Sequence, residues 1–286
     1  MKNLFNTPIK PLLVVFPFLV LCSVAGAQSL PAKQEVNLRA PANLKIDGKA
    51  NEWDNKFQAY NKNVELFYTI ANDDDNLYFV VQATRPRVIE KIINVGVTVT
   101  VNSADAKDDK AADNISINFP LIDFAYVPQI VFNAGAKTKE IYYATGIGPD
   151  SRHTYKPEFE VKPSDSLKNA ATKLLTDKAT IIHIKGMKDV PDNELSVYND
   201  KNIKVAMAFD HTGAYTYELA IPLKYFGLSI SDAKKFSYNI KLQNRQDVGR
   251  RGMVTRYNNI NGQSVSDDLD LDSSTDFWAE YTLARK

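Results

Sequence analysis

The densest collection of side chains able to do chemistry is the stretch NRQDVGRRGMVTRYNN, which carries Arg245, Arg250, Arg251 and Arg256, with Tyr257 directly after. A guanidinium presents a planar fork of donors that matches carboxylates, phosphates and sugar hydroxyls, and loops at the end of a scaffold are where such recognition is built. A solvated loop is the plainer account of the same arginines. Arg245, Arg250, Arg256 and Tyr257, together with Tyr142 from IYYATG, are the candidate ligand-contacting residues, since a tyrosine ring can stack on the C–H face of a sugar. Further on, DDLDLDSSTD sets Asp268, Asp270 and Asp272 at alternate positions, a candidate calcium site. It resembles an EF-hand loop only in part. Ser273 stands where the turn glycine is needed and Ala279 where the bidentate glutamate belongs. An EF-hand is excluded, and a looser calcium site stays open.

Other chemistries find less support. His153, His183 and His211 are far apart, with no second ligand at metal spacing, so a zinc site is not expected. TGIGPD has half of a phosphate-loop pattern, but Pro149 follows and no helix opens there, which makes it a turn. There is no G-x-S-x-G and no H-E-x-x-H. The chain's 34 acidic residues offer many carboxylate pairs and nothing singles out two of them. The expectation is a protein that binds and does not catalyse.

The N-terminus sets the expected compartment. Lys2 and Lys10 precede an apolar run from Pro11 to Cys22, and SVAGA follows. A basic region, a short apolar run and a small-residue cleavage site describe a secretory signal peptide, here cut after Ala27. The run is shorter than the roughly 20 residues of a membrane span, and Pro17 interrupts it. Acylation at Cys22 is the rival reading, disfavoured by Leu21 where a small residue is wanted. The expected product is exported to the periplasm or the medium, with no membrane span. Its one cysteine, Cys22, is removed with the leader, which excludes disulfides and thiolate chemistry. Without Lys2 and Lys10 the chain carries 33 basic against 34 acidic residues, a balance that argues against nucleic acid or an anionic membrane as partner.

The elements that must position these residues follow a period of two. VELFYTI places Val64, Leu66, Tyr68 and Ile70 on one face; NLYFVVQA does the same with Leu77, Phe79, Val81 and Ala83. INVGVTVTV sets Ile93, Val95, Val97, Val99 and Val101 against Asn94, Gly96, Thr98 and Thr100. IKVAMAF, AYTYELAI and KFSYNIKL repeat the pattern. Alternation of this kind is what an antiparallel sheet needs, and many such strands with turns between them predict an all-β sandwich or jelly roll. NDDDN between two strands is a hairpin turn. Helix is expected only over residues 164 to 176 and as one turn at PLKYFG, ended by Gly227. Residues 28 to 286 read as one domain with an insertion around 145 to 200.

LKIDGKANEWDN puts Trp53, one of two tryptophans, in a segment otherwise suited to solvent. Taken in order, IDGKANEW, the NDDDNLYFVVQA hairpin, YTYELAIPLKYFGL and the terminal STDFWAEYTLA resemble the family 9 carbohydrate-binding-module-like domains of the DOMON-like β-sandwich group. The resemblance implies that Trp53 folds back under the sandwich and that Trp278, on the closing strand, is its structural counterpart. It also implies carbohydrate, a polysaccharide or oligosaccharide, as the leading ligand class, with calcium as a structural ion. Neither tryptophan matches the aromatic clamp of the sugar-binding members. Two alternatives stay open: an interaction protein whose partner is another envelope protein, and a haem-binding domain drawing on Met187, Met207 or Met253. Met207 falls on the core stripe of its strand, so packing is its better account.

Overall fold

The computed structural model describes residues 30–135, 141–145, 152–156, 163–190, 193–232, 234–249, 257–258, 264–265 and 269–286, so the expected leader lies outside them. Two antiparallel sheets face one another. One has five strands, ordered β1 (Ala59–Asn61), β2 (Leu66–Asn72), β3 (Asn76–Ala83), β11 (Tyr215–Pro222) and β10 (Lys204–Phe209). The other has six, ordered β15 (Thr275–Thr282), β12 (Lys235–Leu242), β4 (Val97–Asn102), β5 (Asn114–Phe119), β8 (Ile181–Lys185) and β9 (Glu194–Ser196). Two small hairpins, β6 (Ile141–Thr145) with β7 (Arg152–Lys156) and β13 (Tyr257–Asn258) with β14 (Ser264–Val265), stand apart from both. This is the all-β sandwich that the alternating pattern predicts.

The core is built by the alternation. Tyr68, Ile70, Phe79, Val81, Tyr217 and Leu219 face inward from one sheet, and Val99, Ile117, Tyr238, Ile240 and Phe277 meet them from the other. Aromatic pairs join the sheets: Tyr68 and Phe277 have ring centroids 5.1 Å apart, and Phe79 meets Tyr238 edge-on at 5.8 Å. The Tyr238 hydroxyl donates to that of Tyr68 at 3.2 Å, giving two buried phenols a mutual partner. Of the range read as an insertion, β8 and β9 extend the six-stranded sheet, with Ile117 of β5 opposite Ile184.

Helices are more numerous than the alternation suggests. α1 (Pro86–Val95), α2 (Val127–Ala134), α3 (Asp165–Lys178) and the single turn α4 (Leu269–Asp272) are described. α3 begins where expected, with the Ser164 hydroxyl accepting from Leu167 N at 3.3 Å. α1 corrects the reading of INVGVTVTV. Ile93 and Val95 belong to a helix that buries Val88, Ile89, Ile92 and Ile93, and the strand starts only at Val97. The switch is made by Gly96, at φ 73°, whose N–H closes the helix on Ile92 O at 2.7 Å. A Cβ there would lie 2.7 Å from Asn118 Oδ1 and 2.8 Å from Pro120 O, so glycine alone fits. Valines and isoleucines on both sides of that break happened to keep one period-two register.

Candidate functional site

The segment from Leu44 to Asn55 crosses the outer face of the five-stranded sheet. Trp53, only 7% exposed, packs there with Ala50, Phe57, Ala71, Tyr78, Val80 and Ala220, flanked by Leu44, Ile46 and Phe67. This second apolar cluster explains why β3 and β11 are buried on both faces. The strap is also pinned by a polar group. Glu218, on the outward stripe of β11 and 1% exposed, accepts from Asp47 N and Gly48 N, both at 2.9 Å, and from the Trp53 indole Nε1 at 3.1 Å. Gly48, at φ 80°, rides so close to β10 that a Cβ would touch Met207 C and lie 2.7 Å from Ala208 N. Burial pushes the Glu218 carboxyl up to about 7, against the three donors that favour its charged form.

Beside this latch, at one end of the same sheet, lies an open cleft of about 890 Å³. Four pieces of chain meet in it: Leu44, Lys45 and Ile46 of the strap; the β2–β3 turn and the start of β3 with Asp74, Asp75, Asn76 and Tyr78; Asn202 and Lys204 where β10 starts; and the end of β11 and the turn after it with Ala220, Pro222, Leu223, Lys224, Leu228 and Ser229. Its lining mixes aliphatic carbons with carboxylates, amides and ammonium groups, and its volume is in the range of clefts that take small ligands.

The turn is held rigid from within. Asp73 Oδ1 accepts from Asp75 N at 2.8 Å and Asn76 N at 2.6 Å, while the Tyr78 hydroxyl donates to Oδ2 at 2.6 Å. Burial works to raise the Asp73 carboxyl, yet these bonds hold it net below its ordinary value. Burial, and then the bond to Asp73, push the Tyr78 phenol up. Asp74 carries two cations, Arg39 Nη2 at 2.8 Å and Lys286 Nζ at 2.6 Å, whose hydrogen bonds, Lys286 first, keep its carboxyl low. NDDDN is thus a self-satisfied turn. The sequence reading singled out none of the cleft's lysines, nor Glu218, whose place in YTYELAI gives it the appearance of an ordinary solvent-facing residue.

The expected contact residues lie elsewhere. Arg245 is 5% exposed, and its Nε and Nη2 both reach Asp272 Oδ1 at 2.9 Å. Its guanidinium therefore ties the start of its loop to α4, and the Asp272 carboxylate faces a cation already in place. Asp272 precedes β15 whereas Lys286, which pairs with Asp74 of the cleft, follows it, so the two lie at opposite ends of that strand. Arg250, Arg251, Arg256, Met253 and Asp268 lie outside the described residues, as do the side chains of Asp270, Tyr142, Tyr257 and His153. By backbone register Tyr142 stands opposite Tyr155, and Tyr257 opposite Val265. Trp278 is half-buried on β15, opposite Asn239. His183 is half-buried on β8, with Nδ1 3.8 Å from Glu194 Oε1, and the carbonyl of His211 accepts from Lys168 Nζ. Met187 and Met207 are core residues. Among the described residues no three His, Cys, Asp or Glu side chains gather as a metal site, and no helix is long and apolar enough to cross a membrane.

No family model matches this chain, and no curated protein matches it significantly.

Proposed function

We propose that the protein is an exported, non-catalytic binding protein whose ligand is an oligosaccharide or a segment of polysaccharide, held in the cleft between the strap and the β2–β3 turn. The observation that carries this reading is the composition of that cleft: Leu44, Ile46, Tyr78 and Leu223 supply apolar surface beside Asp75, Asn76, Asn202 and Ser229. A sugar ring has the matching duality, with C–H faces for carbon surface and hydroxyls that both donate and accept. The resemblance of IDGKANEW and YTYELAIPLKYFGL to family 9 carbohydrate-binding-module-like domains points the same way.

The test is thermal unfolding of the exported protein against a panel of oligosaccharides. A ligand at 100 times its dissociation constant adds about 2.7 kcal/mol and raises the midpoint visibly. The expected outcome is a selective shift that Asn202→Gly reduces, corresponding to a loss of affinity of about tenfold for one hydrogen-bonding group. Asn202 already sits at φ 60°, so glycine is tolerated there. No shift with any sugar would leave the envelope-partner reading in its place.

Export is supported by the basic, apolar and small-residue order of residues 1–27. Expressed with that leader, the protein should be recovered from the periplasm or medium with Gln28 as its first residue, as read by intact mass. A chain that keeps residues 1–27, or one lipidated at Cys22, would refute it.

A further inference from the structure

We infer that the ligand of this cleft is acidic: a glycan bearing carboxylate or sulfate groups, gripped by Lys45, Lys204 and Lys224. The inference rests on the reading of the cleft as a sugar site and adds the chemical class of the sugar. Those three lysines reach the cleft from three separate pieces of chain, the strap, the first residue of β10 and the turn after β11. All three are exposed, and among the described residues none forms an ion pair. Lys224 lies 5.1 Å from the Tyr225 ring centroid, a contact that leaves its charge without a counter-ion.

The carboxylates of the cleft do not offset them. Asp74 is taken by Arg39 and Lys286, which leaves only Asp75 against three ammonium groups. Lysines elsewhere are of both kinds among the described residues, Lys235 and Lys241 being paired and Lys62, Lys185 and Lys188 forming no ion pair, so what sets the three cleft lysines apart is their convergence on one concavity. The chain as a whole is nearly neutral at +1, so three ammonium groups against one free carboxylate in this concavity are a local property. Ammonium groups converging on a partly apolar cleft raise the local concentration of anions and bind them as point charges. A uronic acid or sulfated sugar offers both the anion for the lysines and the C–H face for Leu44, Ile46 and Tyr78.

The experiment is calorimetric titration of the exported protein with a short oligogalacturonate, with the same oligomer after carboxyl reduction, and with a sulfated oligosaccharide. It is repeated on the cleft variant Lys45→Gln/Lys204→Gln/Lys224→Gln and on Lys62→Gln/Lys185→Gln/Lys188→Gln, which loses the same charge from exposed sites off the cleft. The expected result is binding of an acidic oligomer that weakens with added salt. It falls at least tenfold on carboxyl reduction and at least tenfold in the cleft variant, with the off-cleft variant unchanged. Whether the uronate or the sulfated oligomer binds more tightly identifies the anion. Equal binding of acidic and neutral oligomers, unaffected by the cleft variant, overturns the inference and leaves the sugar reading intact. Equal weakening in both variants overturns it in favour of diffuse charge. Binding of no oligomer at all defeats the sugar reading together with it.

Discussion

Trp53→Ala lowers the unfolding free energy by about 3–5 kcal/mol, the range for truncating a large buried aromatic. For a chain of this length that is a fall in midpoint of roughly 10 °C. The effect has two sources that a second variant separates. Trp53→Ala removes the ring from a cluster with Phe57, Tyr78, Val80 and Ala220, and it also takes away the indole N–H that donates to Glu218 at 3.1 Å. Trp53→Phe keeps most of the apolar contact and loses only the donor, which corresponds to about 1–3 kcal/mol for one buried hydrogen bond to a carboxyl. Chemical denaturation of both variants reads the difference. A loss below about 1 kcal/mol for Trp53→Ala would mean that the strap does not depend on its tryptophan. Because Leu44, Lys45 and Ile46 of the strap line the cleft, Trp53→Ala should also weaken any ligand bound there.

That dependence shows how far the sequence could be read. The sandwich was legible because a period of two is imposed by the pleat, and Leu77, Phe79 and Val81 or Tyr238, Ile240 and Leu242 can serve only one face. The strap's purpose was half legible. Trp53 in a polar stretch signals a buried anchor, but the surface it covers is written in Tyr78, Val80 and Ala220, the residues that alternation assigns to solvent. α1 was hidden for a different reason. Its apolar positions run directly into those of β4, and only Gly96, read as a strand residue, marks the boundary. The cleft was not legible at all. Its lysines lie at positions 45, 204 and 224, each an ordinary surface residue in its own segment, and only the pairing of β11 with β3 on one side and β10 on the other brings them to one end of a sheet. The Arg-rich stretch, conspicuous in sequence, contributes in Arg245 a buried tie to Asp272, because proximity along the chain says nothing of which way a side chain turns.

Stability decreases as pH rises from about 4.5 to 7, and Glu218 is the cause. Its carboxyl titrates at 4.5 when free and at about 7 in the folded protein, because burial penalises the charged form more than the three donors reward it. Between those values the folded state holds a proton that the unfolded state has released, so the slope of unfolding free energy with pH is negative. The contribution is complete below 4.5 and is lost as pH passes through 7. At about 1.4 kcal/mol per pH unit the interval amounts to about 3 kcal/mol. Glu280 works in the opposite sense: hydrogen bonds from Lys107 and then Lys235 bring it down to about 2, so its contribution is present above 4.5 and disappears on acidification. The Glu280 pairs are exposed and screened by solvent, so the Glu218 latch carries the larger part of the pH dependence above 4.5. Glu218→Gln decides whether the latch is responsible. Glutamine keeps one acceptor but turns an amide toward backbone donors, so it should be less stable than the parent by about 1–3 kcal/mol at pH 5. Lacking a titrating group, it should also have a flatter profile from pH 5 to 8, so that the two curves approach each other as pH rises. Curves that separate instead would show that the donors at Asp47, Gly48 and Trp53 outweigh burial, and that the strap is held by a carboxylate charged throughout.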